Sequence, residues 1–385
     1  MPTVAIVAEY NPFHNGHFYQ IQKIREIVPE ATIVSIMSGS LVQRGELAVF
    51  SKYDRAEIAA RNGVDAVFEL PSVYSCAPAN IFCSSAIYMM QKLSKIDYIC
   101  FGSECGELSP LEFAADELMS QKFCAGLSER IKKEKNRSYP NSVYNLFCEL
   151  HGEKKAEVLL GSNDILAIEY LKALKKMGST IKPLAIKRVG EDFKSAGQIR
   201  KLIRYNIPEC KSLMPKTAYD MSRDLVMTGC VANIKNLNAA IISHLNRLSP
   251  ENIAEFAEVS WGDEHKIKNA LNDCFDLDTL FFRLKSKHKS ESSVRRMILN
   301  VFFGITKELK STSPEFATVL ALNQKGAKYI HDIKKTAEIK IITKPADIKN
   351  NKIFDQNRFI DNTCKFALRS VGPKTDEIKQ KPRLV

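Results

Sequence analysis

Near the amino terminus, the run Glu9-Tyr10-Asn11-Pro12-Phe13-His14-Asn15-Gly16-His17 sets two imidazoles three residues apart around a glycine. The apolar residues 4–8 before it read as a strand, and residues 16–28 after it as an amphipathic helix. The run therefore straddles a helix start, where backbone N–H groups lack partners and favour a phosphate. Three residues apart, His14 and His17 share a helix face and can donate to phosphate oxygens as charge builds on a leaving pyrophosphate. Gly16 has no Cβ, so a nucleotide can come close to the backbone, and Asn11-Pro12 supplies the turn off the strand. The plainer alternative is a pair of capping or surface histidines. Zinc fits less well, because no His-Glu-x-x-His, third ligand or neighbouring cysteine pair accompanies them. No metal-ligating residue is assigned.

The elements that must position this run alternate. Residues 32–37, 65–70 and 96–101 read as further strands, and 51–62 and 80–93 as helices; Ser51 and Asp54 form a capping box and Gly63 a stop. Near-continuous apolar strands separated by helices predict an α/β fold with a parallel sheet covered on both faces. Ligands of such sheets bind at the carboxyl ends of the strands, so the segments after the first and fourth strands, the latter at Gly102-Ser103, should line the site. Residues 105–160 read as a helical insertion with a basic turn at 132–137. The core resumes with a helix at 163–176, a strand at 182–188 and a short helix at 195–204. Asn163 opens its helix as a natural N-cap. Pro208 and Pro215 mark a boundary, giving a first domain over 1–210 and a mainly helical domain over 211–385, with a short strand near 339–343.

The 385 residues carry a formal charge of +12. Residues 283–385 hold 23 Lys and Arg against 10 Asp and Glu, a net +13, so the first 282 are near neutral. Such a split suggests chemistry in one part and a polyanion held by the other. Within residues 283–310, Arg283, Lys285, Lys287, Lys289, Arg295 and Arg296 are the expected set for holding that polyanion, RNA if the resemblance described below holds. The 132–137 turn is a second candidate surface. Ten cysteines with no Cys-x-x-Cys spacing suit a reducing compartment. With no leader and no apolar run of 18 residues, a cytoplasmic protein with no membrane partner is expected, and no DNA partner.

Around His14-Asn15-Gly16-His17 the sequence resembles the His-x-Gly-His signature of the cytidylyltransferase-like nucleotidyltransferases, and Ser195-Ala196-Gly197-Gln198-Ile199-Arg200 resembles their triphosphate-gripping motif, with Gly197 where that motif has Thr. The match is closer to the bacterial tRNA(Met) cytidine acetate ligase family. It runs through Gly39-Ser40-Leu41-Val42-Gln43-Arg44-Gly45-Glu46, Lys52-Tyr53-Asp54-Arg55-Ala56-Glu57, Asn62-Gly63-Val64-Asp65, Glu69-Leu70-Pro71, Phe101-Gly102-Ser103-Glu104, Gly161-Ser162-Asn163-Asp164 and Ile186-Lys187-Arg188-Val189-Gly190, covering residues 3–204. Ser51-Lys52-Tyr53 stands where family members typically read Asp-Lys-Trp. The resemblance implies a Rossmann-like, HIGH-type nucleotidyltransferase domain followed by a helical, basic, tRNA-binding one. It further implies activation of acetate by ATP with Mg²⁺, releasing pyrophosphate, and acetyl transfer to N4 of the wobble cytidine of elongator tRNA(Met).

Family ATP contacts would fall on Val7, Ala8, Glu9, Tyr10, Asn11, Pro12, Phe13, His14, Asn15, Gly16, His17, Phe18, Tyr19 and Gln20. Others would fall on Gly102, Asn163, Arg188, Ser195 and Arg200. His14, His17, Lys52 and Arg55 are the catalytic candidates, and Asp65, Glu104 or no residue at all could serve as a base for the cytosine amine. Two alternatives stay open: a small-molecule adenylyltransferase of the nicotinamide mononucleotide or pantetheine phosphate type, and a non-catalytic RNA-binding protein.

Overall fold

The computed structural model describes residues 1–134, 138–188, 195–369 and 376–385. Among the described residues eight strands form one sheet. From the amino terminus they begin with β1 (Thr3–Ala8), helix α1 (Asn15–Ile27) and β2 (Thr32–Ser38). A small hairpin, β3 (Leu41–Val42) with β4 (Glu46–Leu47), precedes helix α2 (Lys52–Arg61) and β5 (Ala66–Leu70). Then come β6 (Tyr98–Ser103), β7 (Lys182–Lys187), β8 (Phe316–Leu322), β9 (Lys340–Ile342) and β10 (Arg383–Leu384). The order across the sheet is β10-β8-β5-β2-β1-β6-β7, with β9 beside β8. The five strands from β5 to β7 are mutually parallel.

This order explains where a ligand can sit. From β1 the chain builds outward through β2 to β5, then returns to the other side of β1 for β6 and β7. The helices after β1 and β6 thus leave in opposite directions, and a crevice opens between the carboxyl ends of these two strands. The helical 105–160 segment, with helices Leu108–Met119, Gln121–Lys133 and Tyr139–His151, lies between β6 and β7 in sequence. Residues 135–137 of the expected basic turn lie outside the described residues, as do Val189 and Gly190. Helix α2 starts and stops as its sequence dictates: the Ser51 hydroxyl accepts from the Asp54 N–H at 3.2 Å, and Gly63 takes φ +106°.

The expected division at residue 211 needs correction. Residues 216–311 are helical in the main, but the chain then returns to the sheet. β8 pairs antiparallel with β5, and β9 and β10 flank β8. The apolar run Phe316-Ala317-Thr318-Val319-Leu320-Ala321-Leu322 carries a strand signal that the sequence reading passed over. Asp65 joins the two halves: its backbone carbonyl accepts from Asn323 N–H at 3.0 Å, and its carboxylate from Asn323 Nδ2, Ile33 N–H and Arg25. A Cβ on Gly326 would stand 1.9 Å from the Asp65 carbonyl oxygen, so only glycine permits this approach.

A second junction is ionic. The buried Lys52 ammonium touches Glu69 at 2.7 Å, Asp361 at 2.7 Å and Glu377 at 2.6 Å. Asp361 lies on the helix Lys352–Cys364, so carboxyl-terminal residues close over α2. Burial alone would strip the ammonium of its proton, but Asp361, Glu377 and Glu69 outweigh it and hold Lys52 charged. Among the described residues no helix is long and apolar enough to cross a membrane.

Lys52→Met leaves three buried carboxylates without their cation and should cost about 3–5 kcal/mol in urea unfolding. Adding Glu377→Gln should recover part of that loss. A loss of about 1 kcal/mol or less, as for an exposed pair, would mean the carboxyl-terminal segment is held by other contacts.

Candidate active site

The turn after β1 is built from inside. Tyr10 and Phe13 are buried against the His17 ring, with centroids 5.0 and 5.5 Å away, and Asn11 accepts from Val49 N–H at 2.8 Å through its side chain. Beneath the turn lies Arg55, 1% exposed, whose guanidinium donates to the carbonyls of Glu9, Ser38, Gly39 and Phe50. Three of these carbonyls lie at the ends of β1 and β2 and the fourth just before α2, and buried carbonyls need donors.

The two imidazoles stack with centroids 3.9 Å apart. His14 is the N-cap of α1; its Nδ1 accepts from Gly16 N–H at 3.0 Å, while its own N–H donates to His17 Nδ1 at 3.2 Å. A backbone N–H can only donate, so each Nδ1 carries a lone pair and each neutral ring bears its hydrogen on Nε2. Burial, with Arg188 nearby, lowers the His14 pKa to about 4. Burial, then His14 and Arg188, holds His17 well below the ordinary value. The pair is therefore neutral at physiological pH and offers two Nε2–H donors. An added Cβ on Gly16 would come within 2.9 Å of the His14 ring, so glycine is required by the cap itself.

The opposite wall comes from β6 and β7. Gly102 sits in β6, where a Cβ would crowd the Arg188 side chain at 3.2 Å. Arg188 follows β7, donates its N–H to the Ser103 carbonyl at 2.9 Å and its guanidinium to Asn163 Oδ1 at 3.2 Å. Asn163 in turn donates through backbone and side chain to Glu104. Burial would raise the Glu104 carboxyl, but donors from Asn163 and Asp164 hold it below the carboxylate range. Arg188 thus joins Gly102 and Asn163 on this wall and acts electrostatically on both imidazoles. Glu104 and Asp164 fix the second wall; Asp164 accepts from Ser103, Glu104 and Cys105.

Other expected site residues stand differently. Lys52 and Arg55, expected as catalytic cations, are buried and fully engaged with carboxylates and carbonyls; their work is to hold the turn in place. Asp65 is buried, with its carboxylate taken by Ile33 N–H, Arg25 and Asn323. Tyr10, Asn11, Pro12 and Phe13 are buried, so they shape the loop and offer a ligand backbone at most. Val7 and Ala8 end β1, and Glu9 turns its carboxylate to Gln43 N–H at 3.0 Å. Asn15 donates to the Leu213 and Ser212 carbonyls, Gln20 to the Cys100 carbonyl, and Phe18 and Tyr19 pack against the core. Ser195 caps the helix Ala196–Tyr205 in a capping box with Gln198. Arg200 donates to the Asn11 carbonyl at 2.9 Å and to Glu46 at 2.8 Å, so it reaches the turn from the side.

Most of the expected RNA set is also occupied. Arg296, 8% exposed, pairs with Glu258 at 2.8 Å; Lys289 pairs with Asp263, Arg283 with Asp273, and Arg295 with Glu291 and Glu46. Lys285 and Lys287 are exposed and enter no ion pair among the described residues. Glu46 is a residue that sequence reasoning missed. Its two oxygens take Arg200 and Arg295, a link no local pattern announces.

The family model described as HIGH Nucleotidyl Transferase matches residues 1–377. A tRNA(Met) cytidine acetate ligase of Clostridium acetobutylicum is 33% identical over 98% of this chain and 98% of its own. One from Acetivibrio thermocellus is 32% identical over 90% of this chain and 89% of its own. The crystal structure of Thermotoga maritima TmcAL bound with alpha-thio ATP superposes with a TM-score of 0.93 at 27% identity, covering 100% of this chain and 99% of that one. With the neutral histidine pair at the switch point of its sheet, this chain belongs to the HIGH nucleotidyl transferases and, among them, to the tRNA(Met) cytidine acetate ligases.

Proposed function

We propose that the protein activates acetate with ATP as acetyl-adenylate and passes the acetyl group to N4 of the wobble cytidine of elongator tRNA(Met), in the cytoplasm. The observation that carries this reading is the stacked His14–His17 pair, neutral and with both Nε2–H groups available at the crevice.

An acetate oxygen attacks the α-phosphorus, the bond from that phosphorus to the bridging oxygen breaks, and pyrophosphate leaves. Oxide is a hopeless leaving group from acetate, whereas AMP is a good one from the mixed anhydride. Little covalent chemistry falls to the protein, so its part is alignment and stabilisation of charge on the phosphates. The two Nε2–H donors serve that task without first losing a proton to solvent. Arg188 adds a cation opposite them, and the first turn of α1 adds backbone N–H groups. In the second step the N4 amine attacks the acetyl carbon and AMP departs. Because the amine displaces a phosphate rather than oxide, a strongly basic side chain is not required, and we assign none.

Mg²⁺ is read as arriving with the triphosphate, which it would help neutralise. Among the described residues no group of three or more His, Cys, Asp or Glu is arranged to hold a metal. The tRNA side rests on the exposed Lys285 and Lys287 near the loop that ends in Lys289. The small-molecule adenylyltransferase alternative leaves residues 216–311 without a role.

Carboxylate-dependent exchange of labelled pyrophosphate into ATP tests the first step. Acetate should support exchange, and His17→Ala should lower it by about 10²–10³-fold while tRNA affinity stays within a few-fold. Equal losses in both assays would break the proposed division of labour. No exchange with any acid, even with tRNA present, would overturn the acyl-adenylate reading.

The neutral pair also fixes a pH dependence. The His14 imidazole should titrate near 4 by NMR rather than near 6.5. Its folded pKa is depressed, so protons bind the unfolded chain first; its contribution to stability is intact above about 6.5 and is lost as pH falls towards 4. Exchange at saturating ATP should therefore show no inflection from this ring between pH 6 and 8. A break near 6.5 that disappears in His14→Asn would mean a charged imidazole takes part.

A further inference from the structure

Trp261 is the chain's single tryptophan and is 98% exposed. A lone exposed aromatic is ordinary in itself. This one stands on a braced turn. Ser260 N–H donates to the Asp263 carboxylate at 2.7 Å, Gly262 N–H to Glu264 at 3.0 Å, and Gly262 takes φ +86°, leading into the helix Asp263–Leu271. Lys289 pairs with Asp263 and donates to the Glu258 carbonyl at 3.3 Å. Ser286 and Lys289 exchange backbone hydrogen bonds of 3.3 and 3.2 Å, which leaves Lys287 and His288 at the tip of a two-residue turn. Both are exposed. The cationic tip is thus pinned against the turn that carries the indole.

The charges around it are sorted. Glu258 and Asp263 are answered by Arg296 and Lys289, Glu264 is buried and lies 3.8 Å from His265, and Lys266, Lys285 and Lys287 are exposed and enter no ion pair among the described residues. The surface therefore presents unneutralised cations beside a flat, fully accessible ring. It is also tied to the active site. Arg296 spans from Glu258 to the Gln43 carbonyl, and Arg295 shares Glu46 with Arg200, which donates to the Asn11 carbonyl of the histidine turn. Trp261 stands three positions after Glu258, at most about 10 Å of chain.

We infer that Trp261 is a stacking platform for an unpaired base of the tRNA, with Lys287 and His288 on the phosphates beside that base. This rests on the reading of the chain as a tRNA ligase and adds the place where the loop is held. Duplex RNA hides its bases, but a loop can splay one base onto an aromatic face while another enters the crevice. Stacking tolerates any base, so the platform gives affinity and register, leaving identity to other contacts.

As the sole tryptophan, the ring reports on itself. An unmodified elongator tRNA(Met) transcript should quench its emission saturably, and a fully paired RNA of equal charge should not. By filter binding, Trp261→Ala should weaken tRNA affinity by about 5- to 150-fold. Trp261→Phe should keep most of it. Thermal unfolding of both variants should match the parent, because the side chain supports nothing else. If the parent binds tRNA with its emission unmoved and Trp261→Ala binds as tightly, the platform is wrong and the tRNA reading stands. If the parent binds no tRNA, both fall. Equal quenching by paired RNA would reduce the patch to phosphate attraction. Emission that follows protein concentration without RNA, with doubled mass in sedimentation, would make the ring a self-association surface instead.

Discussion

A single buried guanidinium sets the frame on which the site depends. At the carboxyl ends of β1 and β2 the strands part, and the carbonyls of Glu9, Ser38 and Gly39 lose their sheet partners. Arg55 supplies donors to all three and to Phe50 from below. Burial of that cation lowers its pKa to about 10, with Glu9, Glu69 and Asp361 acting the other way, so it stays charged. One turn earlier on α2, Lys52 does a similar service for three carboxylates. The helix thus drives two cations under the active-site loop, and the loop above them is held in the one shape that stacks its histidines.

The electrostatic character of the site follows from burial as much as from charge. An exposed imidazole would be partly protonated near neutrality and would exchange its donor with water. Here the His17 ring packs against Tyr10, Phe13 and the His14 ring, with backbone N–H groups directed at both Nδ1 atoms. That arrangement chooses the tautomer and fixes the direction of the remaining donors. Arg188, on the far wall, reinforces neutrality because a second cation nearby is unfavourable. Positive charge and neutral donors are thereby assigned to opposite sides of the crevice.

The basic carboxyl-terminal part has two uses for its cations. Arg295 and Arg296 face inward to Glu46, the Gln43 carbonyl and Glu258, and so lash the helix Glu291–Phe302 to the hairpin of β3 and β4. A Cβ on Gly45 would meet the Arg296 backbone nitrogen at 2.6 Å, which shows how closely hairpin and helix approach. Lys285 and Lys287, in the loop before that helix, remain outward. Net charge alone does not separate a brace from a binding surface, since an arginine can span either to a carboxylate or to a phosphate.

Much of the site was legible in the sequence because its logic is local. Strand, turn, His-x-Gly-His and helix cap lie within about twenty residues, so spacing and helix-end chemistry put His14, Gly16 and His17 at a helix start, and resemblance added Gly102, Asn163 and Arg188 as candidates. Alternation of apolar runs with helices likewise fixed the parallel core and its ligand edge. What the sequence alone determined was therefore the local chemistry and the class of fold. Only the tertiary structure decided that Lys52 and Arg55 face inward, that Glu46 joins Arg200 to Arg295, and that residues 316–322 return to the sheet beside β5. Each of these depends on a partner more than ten residues away, as with Asp361 for Lys52, and burial at such a contact turns a residue that reads as a catalytic cation into a structural one.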